Sequence, residues 1–179
     1  MSDWMKWAVG GLALALASSA ANAGIVTFNL NANGIKEVNA AGTPNGDPDG
    51  TGVGTLTLDS GTGGTTGTAT FNVTFANVDF PIGGYHIHKA PTTTSGPIFL
   101  DFAALKTAES MRTGNVLSGT VSGLDSTKID TILASPTDYY MNFHNTPFPG
   151  GFVRDQLPEP SCLAVLGLGG LLLGRRRRA

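Results

Sequence analysis

The chain has 179 residues, with 11 Lys or Arg against 13 Asp or Glu and a formal net charge of −2. Between Gly24 and Leu157 the balance is six against eleven, a net of −5, which argues against nucleic acid as a partner. The single cysteine, Cys162, lies close to the C-terminus, so this central stretch has neither a disulfide nor thiol chemistry. Its length is enough for one domain with a hydrophobic core.

The N-terminus reads as an export address. Trp7 to Ala17 is an apolar run behind Lys6, and Ser18 to Ala23 follow it. Ala21-Asn22-Ala23 has the small-x-small pattern of a secretory cleavage site, recognised by signal peptidase, which leaves Gly24 first. An uncleaved membrane anchor is the other reading, although the run is short for a span of about 20 residues. Both readings export the chain.

From Gly24 onward the sequence alternates with period two between glycine-rich breaks, which predicts strands and turns. Ile25 to Leu30 opens the domain, with Ile25 or Val26 turned inward. Gly42 to Gly52 is a loop with Asn-Gly and Asp-Gly turn signals. Asp47 and Asp49 offer oxygens to calcium, but no Glu closes the loop as in an EF-hand, and a solvated turn explains them better. Val53 to Leu58 is a second strand, with Val53 off the phase of Leu56 and Leu58. Ala69 to Ala76 places Phe71, Val73 and Phe75 on one side and Thr70, Asn72 and Thr74 on the other.

Tyr85-His86-Ile87-His88 holds two of the three histidines. Positions i and i+2 of a strand share a face, so His86 and His88 point one way while Tyr85 and Ile87 point to the core. Pro91 to Gly96 is a polar loop, Pro97 to Leu100 a short strand, and Val116 to Val121 another. Ser126 to Ala134 predicts a short helix, with Ile129, Ile132 and Leu133 on one side and Ser126 or Asp125 as cap. Tyr139 to His144 splits into an apolar set, Tyr139, Met141 and Phe143, and a polar set, Tyr140, Asn142 and His144. If this strand pairs in register with the first histidine strand, all three histidines collect on one polar surface; period two alone does not set that register. Gly151 to Leu157 closes the domain. Seven or eight short strands in this order predict an all-β fold, an antiparallel β-sandwich.

After Pro158-Glu159-Pro160-Ser161 comes an apolar, Gly/Leu-rich run from Cys162 to Gly174, then Arg175, Arg176, Arg177 and Arg178. As a helix that run reaches roughly 20 Å, short of a hydrocarbon core of about 30 Å, and the arginines would hold the cytoplasmic interface. A basic nucleic-acid tail is the weaker reading, since an apolar segment leads into it. The three-part order closely resembles a PEP-CTERM sorting signal over residues 158–179. The resemblance implies a Gram-negative-type bacterium, transient insertion of the C-terminal helix in the inner membrane, recognition by an exosortase and removal of the tail. It further implies delivery to the cell surface or an extracellular polysaccharide matrix.

Residues 24–157 resemble the CHRD domain, the module first named from chordin. The matching stretches are Glu37-Val38; His86-Ile87-His88 with Gly96-Pro97; Tyr140 to His144; and Pro149 to Leu157, where Asp155 replaces a glycine of the family pattern. The resemblance implies a Greek-key sandwich similar to Cu/Zn superoxide dismutase and no established catalysis.

Three imidazoles on one face make a platform for zinc or copper. The other reading is a structural hydrogen-bond network. Arg154 lies on the opposite parity from Val153 and Leu157, so it reaches the histidine face, either to attract an anion or, the preferred reading, to pair with Glu37 or Asp101. Tyr139 and Tyr140 suggest a sugar-stacking surface, but alternation buries one of them. No Gly-x-Ser-x-Gly elbow is present. The sequence thus points to an exported, non-catalytic surface or matrix module with a candidate metal site at His86, His88 and His144. The rival readings are a copper- or zinc-dependent superoxide-dismutase-like oxidoreductase and a polysaccharide-binding adhesion module.

Overall fold

The computed structural model describes residues 24–62 and 66–159. The expected leader, with Ala21 and Ala23, and the tail from Pro160 through Cys162 to Arg175, Arg176, Arg177 and Arg178 lie outside them. The strands are β1 (Ile25–Asn33), β2 (Thr51–Asp59), β3 (Gly67–Ala76), β4 (Gly84–Lys89), β5 (Ile98–Asp101), β6 (Arg112–Thr113), β7 (Val116–Leu124), β8 (Tyr139–His144) and β9 (Val153–Gln156). The single α-helix among the described residues is α1 (Ser126–Ala134). The all-β expectation holds, with nine strands rather than seven or eight; β6, two residues long, is too short to carry a periodic signal.

The strands form one antiparallel curled sheet in the order β5-β4-β8-β9-β1-β2-β3-β7-β6. Its two halves join only at Asn33 opposite Arg154. On each side of that seam the sheet folds over, and the apolar faces of the halves meet. Phe71 of β3 packs edge-on against Tyr85 of β4 at 5.4 Å, and Phe75 of β3 against Phe143 of β8 at 5.0 Å. Val26, not Ile25, sets the inward phase of β1: Phe28, Leu30 and Ala32 are buried while Ile25 is exposed. Val53 is exposed, off the phase of buried Leu56 and Leu58, as the alternation requires.

Helix α1 lies where the periodicity puts it. Asp125 caps it, its carboxylate accepting from Thr127 N at 2.9 Å and Lys128 N at 3.3 Å, and Ile129 and Ile132 are buried. Among the described residues no helix is long and apolar enough to cross a membrane.

The outer face of β1, β2, β3 and β7 is almost uncharged. Thr27, Thr57, Thr70 and Thr120 stand in one row across the four strands, and Asn29, Thr55, Asn72 and Ser118 in the next. Asp59 is the only charged residue among the outward positions of these strands.

Candidate metal centre

Strand β4 pairs antiparallel with β8 so that Gly84 stands opposite His144, His86 opposite Asn142 and His88 opposite Tyr140. Residues opposite each other point to the same side of a sheet, so all three imidazoles lie on one face. His144 is the diagonal neighbour of His86, and glycine at 84 makes room between them. A Cβ there would stand 3.0 Å from His86 Nε2. The rings of His86 and His144 are 4.6 Å apart, and one donor atom from each histidine lies within 4.8 Å of the other two.

Carbonyl partners fix two tautomers. His88 Nδ1 donates to Gly96 O at 2.8 Å and His144 Nδ1 to Pro149 O at 3.0 Å. Each neutral ring therefore carries its lone pair on Nε2. His144 Nε2 is buried without a hydrogen-bond partner. His88 Nε2 faces His86 Nδ1 at 3.3 Å, while His86 Nε2 approaches Asp101 Oδ1 at 4.0 Å. A proton on His86 Nε2, toward the carboxylate, leaves two lone pairs facing each other. Only a cation between them relieves that, and two nitrogens on one tetrahedral zinc at about 2.0–2.1 Å stand roughly 3.3 Å apart. A proton on His86 Nδ1 instead closes a hydrogen bond to His88 and turns a lone pair toward Asp101. The outward bonds of His88 and His144 to carbonyls are those that orient ligating imidazoles, while His86 makes no such bond at 4.0 Å from Asp101.

Burial holds all three imidazoles below their ordinary range. His86 falls to about 4, with the nearby His144 adding to the effect and Asp101 opposing it. His88 and His144 are lowered by burial, partly offset by their carbonyl bonds. The rings are thus neutral near pH 7 and available as ligands.

At its His88 end the histidine face is an interior rather than the open polar surface expected from alternation, while His86 and His144 stay half-buried. The loop after β1 and the Pro91–Gly96 loop fold over it, joined to each other by Ser95 N to Asn39 O and Thr94 Oγ1 to Ala40 O. His88 is 8% exposed, and Glu37, Asn142 and Arg154 are each 1% exposed. Arg154 reaches this face but neither awaits an anion at the surface nor forms an ion pair within 4 Å among the described residues. Its guanidinium donates to Thr94 O and Pro91 O, both at 3.1 Å, and lies 3.9 Å over the Tyr140 ring. Tyr140 in turn stacks on His88 at 5.0 Å. Arginine is suited to this because its planar fork bonds two carbonyls while its face stacks.

Glu37 hangs from the covering loop beside Asn142. Burial raises its carboxyl to about 7 against the attraction of Arg154 and the Asn142 hydrogen bond. Gly151, at φ 128°, lets the chain pass here; a Cβ would lie 2.5 Å from Asn142 Oδ1 and 2.8 Å from Glu37 Oε2. Asp155 accepts from Asn31 N at 2.6 Å and from Lys36 Nζ at 2.6 Å. It satisfies β1 just where the β1–β9 ladder ends.

Two other expectations change. Asp47 is buried, not a solvated turn residue: its N–H donates to Phe152 O at 2.9 Å, pinning the loop to the start of β9. Tyr139 and Tyr140 are both buried, so neither offers a sugar-stacking surface. Gly24 begins the described chain with its N–H on Ser60 Oγ at 3.2 Å, and Pro158 and Glu159 are exposed at its other end. The Gly96 and Pro149 carbonyls and Gly84 were not singled out from residue chemistry. The signal for them lay in the Gly-Pro after the first histidine strand and the Pro-Gly-Gly before the last strand.

Fold and site together define an antiparallel all-β domain with a buried polar layer and a cluster of three neutral imidazoles. The profile of the CHRD domain matches residues 28–157, and the chain belongs to that family. Neither a curated protein nor a solved structure matches it significantly.

Proposed function

We propose that this CHRD domain holds one zinc or copper ion between His86, His88 and His144, as a non-catalytic centre of an exported cell-surface or matrix module. The observation that carries this is the convergence of ring nitrogens whose opposite N–H groups are committed to carbonyls, with His144 Nε2 buried and unpartnered. Bound there, the ion ties β4 to β8 under the covering loops. Elemental analysis of the purified chain after loading with Zn²⁺ and Cu²⁺ tests it, beside His86→Ala and His144→Ala. One tightly held equivalent, lost in both variants, is the expected result. No retained metal leaves the histidines as a structural network.

Export belongs to the same reading. The leader would be cut after Ala23, and an exosortase would remove the tail near Pro158-Glu159-Pro160, leaving the domain at the surface or in the polysaccharide matrix. Support comes from the sequence pattern at the two ends. N-terminal sequencing and intact mass of the secreted protein test it: a mature start at Gly24 and a loss of the Arg175–Arg178 end are expected. A Greek-key arrangement like that of Cu/Zn superoxide dismutase is the finer fold proposal, and superoxide turnover by the copper-loaded chain would shift the reading to an oxidoreductase.

A second reading, adhesion to polysaccharide, is favoured by the uncharged Thr/Ser/Asn face of β1, β2, β3 and β7. A neutral, hydroxyl-rich polymer suits it better than an acidic one, which the net charge of −5 between Gly24 and Leu157 would repel. Retention on a neutral polysaccharide column, abolished by Thr57→Lys with Thr70→Lys, is the expected outcome; unchanged retention in that variant counts against this face.

A further inference from the structure

This inference rests on the metal reading of the three-histidine site. We infer that an ion held by His86, His88 and His144 keeps a fourth coordination position open to solvent, and that this position takes water or a small exogenous anion.

The donor count is the first argument. Among the described residues the cluster contains three ligand atoms, and no fourth His, Cys, Asp or Glu joins it. Asp101 stands 4.0 Å from His86 Nε2 and is not one of the grouped ligand atoms. Structural zinc sites close with four protein donors; three donors and a vacant position mark sites where a ligand exchanges.

Access is the second argument, and it is one-sided. His88 is sealed, with Gly96 O on its Nδ1 and Tyr140 stacked on its ring. On the other side His86 and His144 line a cleft of about 430 Å³ together with Gly83, Gly84, Asn145 and Thr146. The cleft is shallow and open to solvent. No Asp or Glu is among the residues lining the cleft, so an anion drawn by the ion meets no carboxylate on its way in. The acidic groups near the cluster, Asp101 and Glu37, stand outside it. The cleft also has an edge where a side chain fits. A Cβ on Gly83 would meet only His144 O, at 3.9 Å, and Gly83 N keeps its bond to that same oxygen at 2.8 Å.

The test is to load the full chain with Co²⁺, whose visible bands report its ligands, and to titrate it with azide. The expected result is a saturable change in those bands while Co²⁺ stays bound. Bound Co²⁺ with bands that azide leaves unmoved overturns the open position but not the metal site. Failure to retain either Co²⁺ or Zn²⁺ overturns the site and this inference together. Gly83→Leu is expected to keep Co²⁺ and weaken azide by about tenfold or more. Unchanged azide affinity in that variant would overturn the assignment of the position to this cleft.

Discussion

His86 Nδ1 and His88 Nε2 face each other across 3.3 Å, and the Gly96 carbonyl on the far side of His88 makes its Nε2 an acceptor. The pair therefore needs a proton or a cation between its rings. A strand that puts two imidazoles on one face leaves that choice to the surroundings, and the surroundings here are buried and hold the rings neutral.

Metal should stabilise the fold if it binds there. A ligand at a hundredfold excess over its Kd adds about 2.7 kcal/mol to the stability of the state that binds it. Thermal unfolding with Zn²⁺ should therefore show a higher midpoint, reversed by a chelator and absent in His88→Ala. Gly84→Val should keep the fold but push the His86 ring aside, lowering Zn²⁺ affinity measured by calorimetry. An unchanged affinity would mean that His86 is not a ligand.

The histidines and Glu37 should pull stability in opposite directions with pH. Between pH 6.5 and about 4 the unfolded chain takes up a proton that native His86 refuses. That contribution is complete above 6.5 and drains as the pH falls toward 4. For Glu37 the native state keeps a proton that the unfolded chain releases between 4.5 and about 7. Its contribution is complete below 4.5 and lost as the pH rises to 7. Glu37→Gln should thus gain stability relative to the parent as pH rises through this window, by on the order of 3 kcal/mol at most. Urea midpoints at pH 5 and pH 8 measure it, and a difference that does not change with pH would refute it.

Arg154→Met should loosen the Pro91–Gly96 loop. It takes the Arg154 donor from the Thr94 and Pro91 carbonyls, leaving Pro91 O only its 3.5 Å bond from Thr94 N, and removes the cation that stacks on Tyr140. A loss on the order of 3 kcal/mol is expected in denaturant unfolding. Amide exchange should rise first at Thr94, whose N–H now bonds only at 3.5 Å to Pro91 O.

Asp155→Gly should lower stability. The Lys36 pair contributes little, since the lysine side chain is 41% exposed and solvent screens it. The bond from Asn31 N is the larger part, so a loss of about 1–2 kcal/mol is expected. A neutral or stabilising change in thermal unfolding would show that the glycine serves this junction equally well.

Periodicity in the sequence was enough to assign the inward sets Phe71, Val73, Phe75 and Tyr85, Ile87, the helix 126–134, and the shared side of His86 and His88; between Ser126 and Asp125 as its cap the structure decides for Asp125. Period two states which side a residue faces, and that rule is local. It does not state what lies beside or above that side. The neighbourhood of His144 and His86 depends on the β4–β8 register, a contact across more than fifty residues of sequence. The burial of Glu37, Asp47, Tyr140 and Arg154 depends on two loops with no periodicity, whose positions are set by carbonyl bonds to side chains far along the chain. The sequence by itself determined the residues available for chemistry. Only the tertiary structure decided that they form a covered polar layer, because enclosure comes from long-range packing and not from the pattern of any one strand.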